Sequence, residues 1–226
     1  MSANFSTTEE NYIKAIFHLQ HADGNVTTNE VAAELNTKAA SVTDMLKKLK
    51  QKKILNYEKY KGFRLSGEGK KIALNIVRKH RLWEFFLVEK LDFGWDEVHE
   101  MAEELEHLTS TKLIDKLDAF LGFPKFDPHG DPIPDVNGKM TTKKQINLID
   151  LPLLQKAEIS AVASQNSELL ELLKHKKIAI GTKITVVQKF SFDHSLDIKI
   201  EKQVPFTISQ QLAQTLMVKV IEQKSV

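Results

Sequence analysis

Four residues of types that bind metals in proteins lie at helical spacing within one short segment. They are His99, Glu103, Glu106 and His107, at offsets of 0, 4, 7 and 8 positions. On an α-helix, which turns once in about 3.6 residues, these offsets fall on one face. Imidazole nitrogen and carboxylate oxygen are donors for Mn²⁺, Fe²⁺, Zn²⁺ and Co²⁺. The pattern predicts a divalent metal site, and the alternative is an exposed acidic face with scattered histidines.

A second pair of such residues precedes this segment. His80 and Glu84 are four positions apart and share a face of another predicted helix. Two antiparallel helices that present such faces inward can build a metal site between them. The segment from Asp92 to Thr111 has seven acids, two histidines and no Lys or Arg, which suits a cation.

The N-terminal part of the chain has the opposite charge. From Asn36 to Lys71 there are eleven Lys or Arg residues against three acids, which suits a polyanion. Around this segment the pattern predicts a helix, a short helix, a basic helix from about Lys38 to Lys52 and a β-hairpin. This order of elements is typical of a winged helix-turn-helix.

The basic helix is the predicted DNA-reading element. Short polar side chains near its N-terminal end suit base edges, and the lysines that follow suit phosphates. The predicted DNA-contacting residues are Thr28, Lys38, Ala39, Ala40, Ser41, Thr43, Asp44, Lys47 and Lys48, with Lys59, Lys61 and Arg64 in the wing. The alternative is a winged helix that serves only as a protein-interaction module.

The remaining composition excludes several classes. The 226-residue chain has no cysteine, so it has neither disulfides nor thiolate metal ligands. No apolar run approaches the roughly 20 residues of a membrane span, and the N-terminus does not resemble a secretory signal. We therefore expect a cytoplasmic protein with no membrane partner. Without His-Glu-x-x-His, a nucleophile elbow, a phosphate loop or a dinucleotide motif, we expect neither enzymatic activity nor a small-molecule substrate.

Several stretches together resemble the diphtheria toxin repressor and manganese transport regulator (DtxR/MntR) family of metal-dependent repressors. The stretches are Thr7–Ile13, Arg78–Glu84, Val98–Glu100, Glu103–His107 and Pro128–Pro134. The resemblance covers essentially the whole chain. It implies a mainly α fold with small β parts, in three domains. These are a winged helix-turn-helix over 1–72, a helical metal-binding and dimerisation domain over 73–145, and an SH3-like (FeoA-type) β-barrel over 146–226.

The resemblance also implies two metal sites per subunit. The primary site corresponds to Asn11, Glu103, Glu106 and His107. The ancillary site corresponds to His80, Glu84 and His99, with Gln165 and Glu168 from the C-terminal domain. The primary set contains only oxygen and nitrogen donors, which favour Mn²⁺, with Fe²⁺ as the alternative.

Two positions depart from the family pattern. Manganese members tend to have Asp where this chain has Asn11, and an acid where it has Lys14. Iron members often have Met and Cys at the positions of Asn11 and Glu103.

The function implied is a homodimeric repressor that binds palindromic operator DNA when loaded with metal and controls metal-ion homeostasis genes. An iron-dependent member of the family and a metal-independent winged-helix regulator are the alternatives. The five remaining histidines are predicted to be surface or loop residues: His18, His21, His129, His175 and His194.

Overall fold

The computed structural model describes residues 5–20, 24–108, 110–164, 166–201 and 203–221. They form two compact units. The first contains the described residues through His80, together with Glu103–Ala119 and Pro134–Lys139. The second contains Arg81–Ala102, Phe120–Ile133 and the described residues from Met140 onward. No helix of the described chain is long and apolar enough to cross a membrane.

The first unit begins with a winged helix. Its elements are α1 (Thr7–Leu19), α2 (Thr28–Glu34), α3 (Ala39–Gln51), β1 (Leu55–Glu58) and β2 (Gly62–Leu65). Ser6 and Thr27 start the first two helices, each in a capping box with the glutamate three residues on, which satisfies backbone donors that the first turn leaves unpaired. Apolar residues at helical spacing, including Ile13, Ile16 and Leu46, are fully buried between the helices and the hairpin.

The wing depends on a close backbone approach. Gly62 has φ +106°, and a Cβ there would lie 2.3 Å from the carbonyl oxygen of Val26. Val26 exchanges two backbone hydrogen bonds with Phe63, of 2.7 and 2.9 Å. Only glycine fits this position without strain, so it fixes the turn between the strands.

Three helices follow: α4 (Gly67–Leu91), α5 (Val98–Leu108) and α6 (Thr111–Phe120). Arg78 on α4 is buried and binds two acids on α6, Asp115 at 3.0 Å and Asp118 at 2.8 Å. These ion pairs connect the two helices within the first unit.

The second unit contains an antiparallel six-stranded sheet in the order β3-β8-β4-β5-β6-β7. The strands are β3 (Ile146–Asn147), β4 (Lys156–Val162), β5 (Lys183–Lys189), β6 (Leu196–Ile200), β7 (Phe206–Ile208) and β8 (Leu216–Val220). Helices α7 (Ser167–His175) and α8 (Gln210–Thr215) accompany it. Alternate side chains such as Ile159, Val186 and Ile198 are fully buried in its core, as half-buried strands require.

The predicted mainly α class with small β parts is confirmed. The sequence pattern predicts a helix from about Lys70, another from near Trp95 and a turn-like segment over Ser209–Leu212, and the structure differs at all three. Helix α4 starts three residues earlier than expected, because Ser66 Oγ accepts a hydrogen bond from the Gly69 N–H. Helix α5 starts later than expected, because residues 94–97 form a turn closed by a Gly94–Glu97 hydrogen bond. The segment from Ser209, predicted as a turn, is the capped start of α8.

Candidate metal centres and DNA-contacting surface

Helix α5 presents three potential metal ligands together, named here the α5 cluster: Glu103, Glu106 and His107. One ligand atom from each lies within 4.8 Å of the others. Glu106 is fully buried, and the His107 side chain is 8% exposed. The predicted one-faced arrangement of these three residues is therefore present in the first unit.

His107 is held in the tautomer that suits a metal ligand. Its Nδ1 lies 2.6 Å from Glu10 Oε2 on α1. An ionised carboxylate only accepts hydrogen bonds, so Nδ1 donates and Nε2 presents its lone pair. Nε2 lies 3.5 Å from Glu106 Oε1, and no hydrogen bond from the described residues reaches it. Sequence reasoning missed Glu10, because nothing local shows that it faces a histidine 97 residues later.

Asn11, the fourth predicted ligand of the primary site, lies on α1 beside Glu10. Its neighbours Glu10 and Lys14 both contact α5. The buried Asn11 Oδ1 has no hydrogen-bond partner among the described residues, an arrangement that costs about 1–3 kcal/mol unless something satisfies the atom. An amide oxygen is a donor type that suits a divalent cation, and the membership of Asn11 in the primary site stays a prediction.

Lys14 brings a positive charge into this donor set. Its Nζ contacts Glu103 Oε1 and lies 2.8 Å from Glu106 Oε1. The Lys14 side chain is 11% exposed. The sequence marked this residue as a departure from the family pattern, and the structure shows that it forms ion pairs with two of the expected ligands.

The predicted ancillary residues lie in both units. His80, in the first unit, has its Nδ1 2.7 Å from Glu106 Oε2. In the second unit, His99 Nδ1 lies 3.4 Å from Glu84 Oε1. Glu168 is exposed at the start of α7, and Gln165 lies outside the described residues. The ancillary grouping therefore stays a prediction.

The second unit contains another potential ligand group, named here the loop cluster: Glu84, Asp127 and His129. One ligand atom of each lies within 4.8 Å of the others, and their exposed fractions are 0%, 5% and 0%. His129 lies in a loop as predicted, but its complete burial was not expected. Neither it nor Asp127 was a candidate ligand, because the proline-rich segment carries no periodic signal.

Backbone geometry builds the loop cluster. Asp127 Oδ1 accepts hydrogen bonds of 2.9 Å from the backbone N–H groups of His129 and Asp131. Between those residues, Gly130 has φ +87°, and a Cβ there would lie 2.1 Å from the Ser160 carbonyl oxygen. His129 Nε2 donates to the Trp95 carbonyl at 2.7 Å. That bond directs Nδ1 towards Glu84 Oε2, at 3.7 Å, where the carboxylate favours a protonated imidazole.

Burial and neighbouring charges shift the pKa values of the titratable groups in the loop cluster. Burial, together with the charges of Glu84 and Asp131, raises the pKa of Asp127 to about 7. Burial by itself would lower the pKa of His129, but Glu84 raises it above its usual range. Arg81 partly compensates, with its Nε 3.4 Å from Asp127 Oδ2. Buried acids with a raised pKa are a common feature of functional sites, and here they suit a cation.

The predicted DNA-contacting residues of α3 are largely accessible. Seven of them are exposed: Lys38, Ala39, Ala40, Ser41, Asp44, Lys47 and Lys48. Thr43 is half-buried and donates a 2.9 Å hydrogen bond to the Ala39 carbonyl. Thr28 of α2 is half-buried. In the wing, Lys59 and Lys61 are exposed, while Arg64 lies 3.2 Å from Glu58.

A buried glutamate links α1 to α3. Glu9, 2% exposed, lies 2.6 Å from Lys52 Nζ and 3.2 Å from Lys48 Nζ. Burial would raise its pKa, but hydrogen bonds from Lys52, the Ser6 backbone and Lys48 outweigh burial and lower the pKa to about 2. The helix that contacts the α5 cluster therefore also holds the C-terminal half of the basic helix.

A winged helix with an exposed basic helix, in one unit with a nitrogen and oxygen donor cluster, defines a metal-responsive DNA-binding regulator. Three family descriptions match the chain in order. Residues 4–63 match the iron dependent repressor N-terminal DNA binding domain, and residues 66–135 match its metal binding and dimerisation domain. Residues 146–220 match the FeoA domain.

Known proteins agree with these matches. The transcriptional regulator MntR of Oceanobacillus iheyensis is 35% identical over 118 residues, 52% of this chain and 80% of that protein. The iron-dependent repressor IdeR of Mycobacterium leprae is 25% identical over 193 residues, 79% of this chain and 83% of that protein. A solved manganese-dependent transcriptional repressor in complex with manganese has a TM-score of 0.84 and 28% identity, covering 94% of this chain and all of that one.

A further solved structure, ScaR with bound Cd²⁺, has a TM-score of 0.80 and 31% identity, covering 94% of this chain and 99% of that one. The chain belongs to the DtxR/MntR family of metal-dependent transcriptional repressors.

Proposed function

We propose that this protein is a manganese-responsive homodimeric repressor that binds a palindromic operator when its metal sites are loaded. The observation that carries the proposal is the meeting of α1 and α5. Helix α5 supplies Glu103, Glu106 and His107, and α1 supplies the orphaned oxygen of Asn11. A divalent ion bound by these four residues would tie the two helices together.

The connection to DNA runs through α1. Glu9 holds Lys48 and Lys52 of α3, so fixing α1 also restricts the basic helix. In a two-fold dimer, the positions of two such helices must match the spacing of two operator half-sites. DNA affinity then rises with metal, because the bound ion already holds the two basic helices in the arrangement that fits the operator. The predicted DNA contacts of α3 and the wing belong to this proposal.

A second ion per subunit is part of the proposal. The loop cluster offers two carboxylates and one imidazole around buried negative charge. The predicted group of His80, Glu84, His99, Gln165 and Glu168 shares Glu84 with it. We propose that Glu84 is the central ligand of the second site, with Asp127 and His129 as its partners.

Manganese is the proposed ion because every candidate donor is oxygen or imidazole nitrogen. Such donors suit Mn²⁺, and Fe²⁺ binds the same types. Relatives named for manganese and for iron both match the chain, so iron is the alternative within the same function. The protein would act as a regulator rather than as an enzyme, in the cytoplasm.

The test is DNA binding with controlled metal. Duplexes are first enriched from a random-sequence library on the wild-type protein, in parallel with Mn²⁺, with Fe²⁺ under anaerobic conditions, and with a chelator. Fluorescence anisotropy then gives the affinity of the enriched duplex for each variant. Because Glu106 and His107 are proposed ligands, E106A and H107A should lose about 100-fold or more of the metal-stimulated affinity.

The matched control is E104A, which removes an exposed carboxylate from the same helix and should behave as wild type. Equal DNA affinity in chelator and in Mn²⁺ or Fe²⁺ would contradict the proposal and favour a metal-independent winged-helix regulator.

A further inference from the structure

Lys14 contacts the α5 cluster but has no part in the proposed function. In the described structure its ammonium group contacts both carboxylates of the cluster, Glu103 and Glu106. A metal ligand set brings negative charge together to attract a cation, and here the chain supplies a cation of its own. Lys14 cannot itself be a ligand while it remains an ammonium ion, because all its hydrogens donate.

Lys14 contacts carboxylate oxygens that an ion at the α5 cluster would also need. Glu106 Oε1 lies 2.8 Å from Lys14 Nζ and 3.5 Å from His107 Nε2. Glu106 Oε1 is therefore a neighbour of both the ammonium group and the His107 imidazole. The other oxygen, Glu106 Oε2, faces His80 Nδ1 at 2.7 Å. An ion bound to Glu106 Oε1 at a usual distance of about 2.2 Å would lie within about 5 Å of Lys14 Nζ, because that nitrogen is 2.8 Å from the same oxygen. The two positive charges would then repel each other.

We propose that the Lys14 ammonium is a tethered, displaceable cation that competes with the metal for the α5 cluster. Without metal, it neutralises Glu103 and Glu106 and holds α1 against α5. Metal binding requires it to leave, which its flexible four-carbon stem and 11% exposure permit. Lys14 therefore raises the metal concentration at which this site fills. This inference rests on the proposed function and adds what sets the metal concentration at which the repressor becomes active.

The competition predicts tighter metal binding when the charge is removed. K14M keeps a long apolar stem, and K14Q keeps hydrogen-bonding capacity without charge. Both should bind Mn²⁺ at the α5 cluster at least about tenfold more tightly than wild type, since a repelling charge at ion-pair distance is lost. The control K116M removes the same charge from an exposed position on α6 and should leave the affinity unchanged.

The measurement is an electron paramagnetic resonance titration, in which Mn²⁺ loses its free-ion signal when it binds. A double-mutant cycle assigns the gain to this cluster rather than to the loop cluster: in an E106Q background, K14M should give no gain. Thermal unfolding in chelator is the second readout, and K14M should melt at a lower temperature than wild type because Glu106 stays buried without its cation.

The outcomes separate the two proposals. If wild type and all variants fail to bind Mn²⁺ and Fe²⁺, the proposed function fails. If wild type binds and K14M and K14Q bind equally or more weakly, the tethered-cation inference is overturned while the proposed function stands. A neutral variant that folds only with Mn²⁺ supports the inference. One that stays unfolded even with Mn²⁺ contradicts it, because Lys14 is then required for folding and is not exchangeable.

Discussion

The α5 cluster and the loop cluster offer similar ligands but balance their charge differently. In the first, the carboxylates of Glu103 and Glu106 are paired with the Lys14 ammonium. In the second, burial and neighbouring carboxylates raise the pKa of Asp127 to about 7, although Arg81 lies beside it. A buried carboxylate must be paired, protonated or bound to a metal, and each cluster uses a different one of these solutions when no metal is bound. The same ligand types are therefore stabilised by different means in the two clusters.

The sharpest test of this difference removes a carboxylate from the α5 cluster. Without metal, E106Q leaves Lys14 buried beside one fewer negative charge, and should lower the free energy of unfolding by about 3 kcal/mol. Urea denaturation in chelator measures this, with E104Q as the exposed control on the same helix. An E106Q protein as stable as wild type would show that Lys14 is not held by this pair.

A second buried carboxylate of the first unit, that of Glu9, is also paired with lysines. Its removal tests whether such pairing stabilises this unit in general. E9Q removes the charge that Lys48 and Lys52 share, and should lower the free energy of unfolding by about 2 kcal/mol at neutral pH. Because the folded pKa of about 2 lies below the ordinary 4.5, this contribution is complete above about pH 4.5 and is lost as the pH falls towards 2.

Urea denaturation of wild type and E9Q at several pH values therefore should show two curves that converge in acid. E34Q, an exposed change on α2, is the control. A difference that stays constant from pH 7 to pH 3 would contradict the assigned pairing.

The smallest effect, of opposite sign, is expected in the loop cluster. D127N keeps the oxygen that accepts two backbone hydrogen bonds and removes a charge that burial opposes. The metal-free variant should gain about 1 kcal/mol of stability at pH 8. Since the folded pKa of Asp127 is raised above its unfolded value, the contribution of Asp127 to wild-type stability falls as pH rises from about 4 through 7, and the advantage of D127N grows over that range.

The same variant should bind Mn²⁺ more weakly at its second site. Thermal unfolding in chelator from pH 6 to pH 8, with a parallel Mn²⁺ titration, measures both effects. If D127N destabilises the metal-free protein, the charged Asp127 carboxylate is stabilised by its surroundings, as the carboxylates of the α5 cluster are. The proposed difference between the two clusters would then be wrong.

Local patterns in the sequence determined the elements and most of the α5 cluster. Residues three, four and seven positions apart share a helix face whatever the rest of the chain does, so Glu103, Glu106 and His107 were predictable as one group. The order of helices and hairpin similarly predicted the winged helix, and the basic segment predicted its exposed lysines.

Tertiary structure alone decided which partners these residues meet. The contacts of Lys14 with Glu106 and of Glu10 with His107 span 92 and 97 positions, and no periodicity encodes contacts at such separations. His129 illustrates the same limit, since its burial depends on backbone turns in a loop that has no regular pattern. The sequence showed that Lys14 departs from the family pattern. Only the packing of α1 against α5 showed that its charge lies among the ligands.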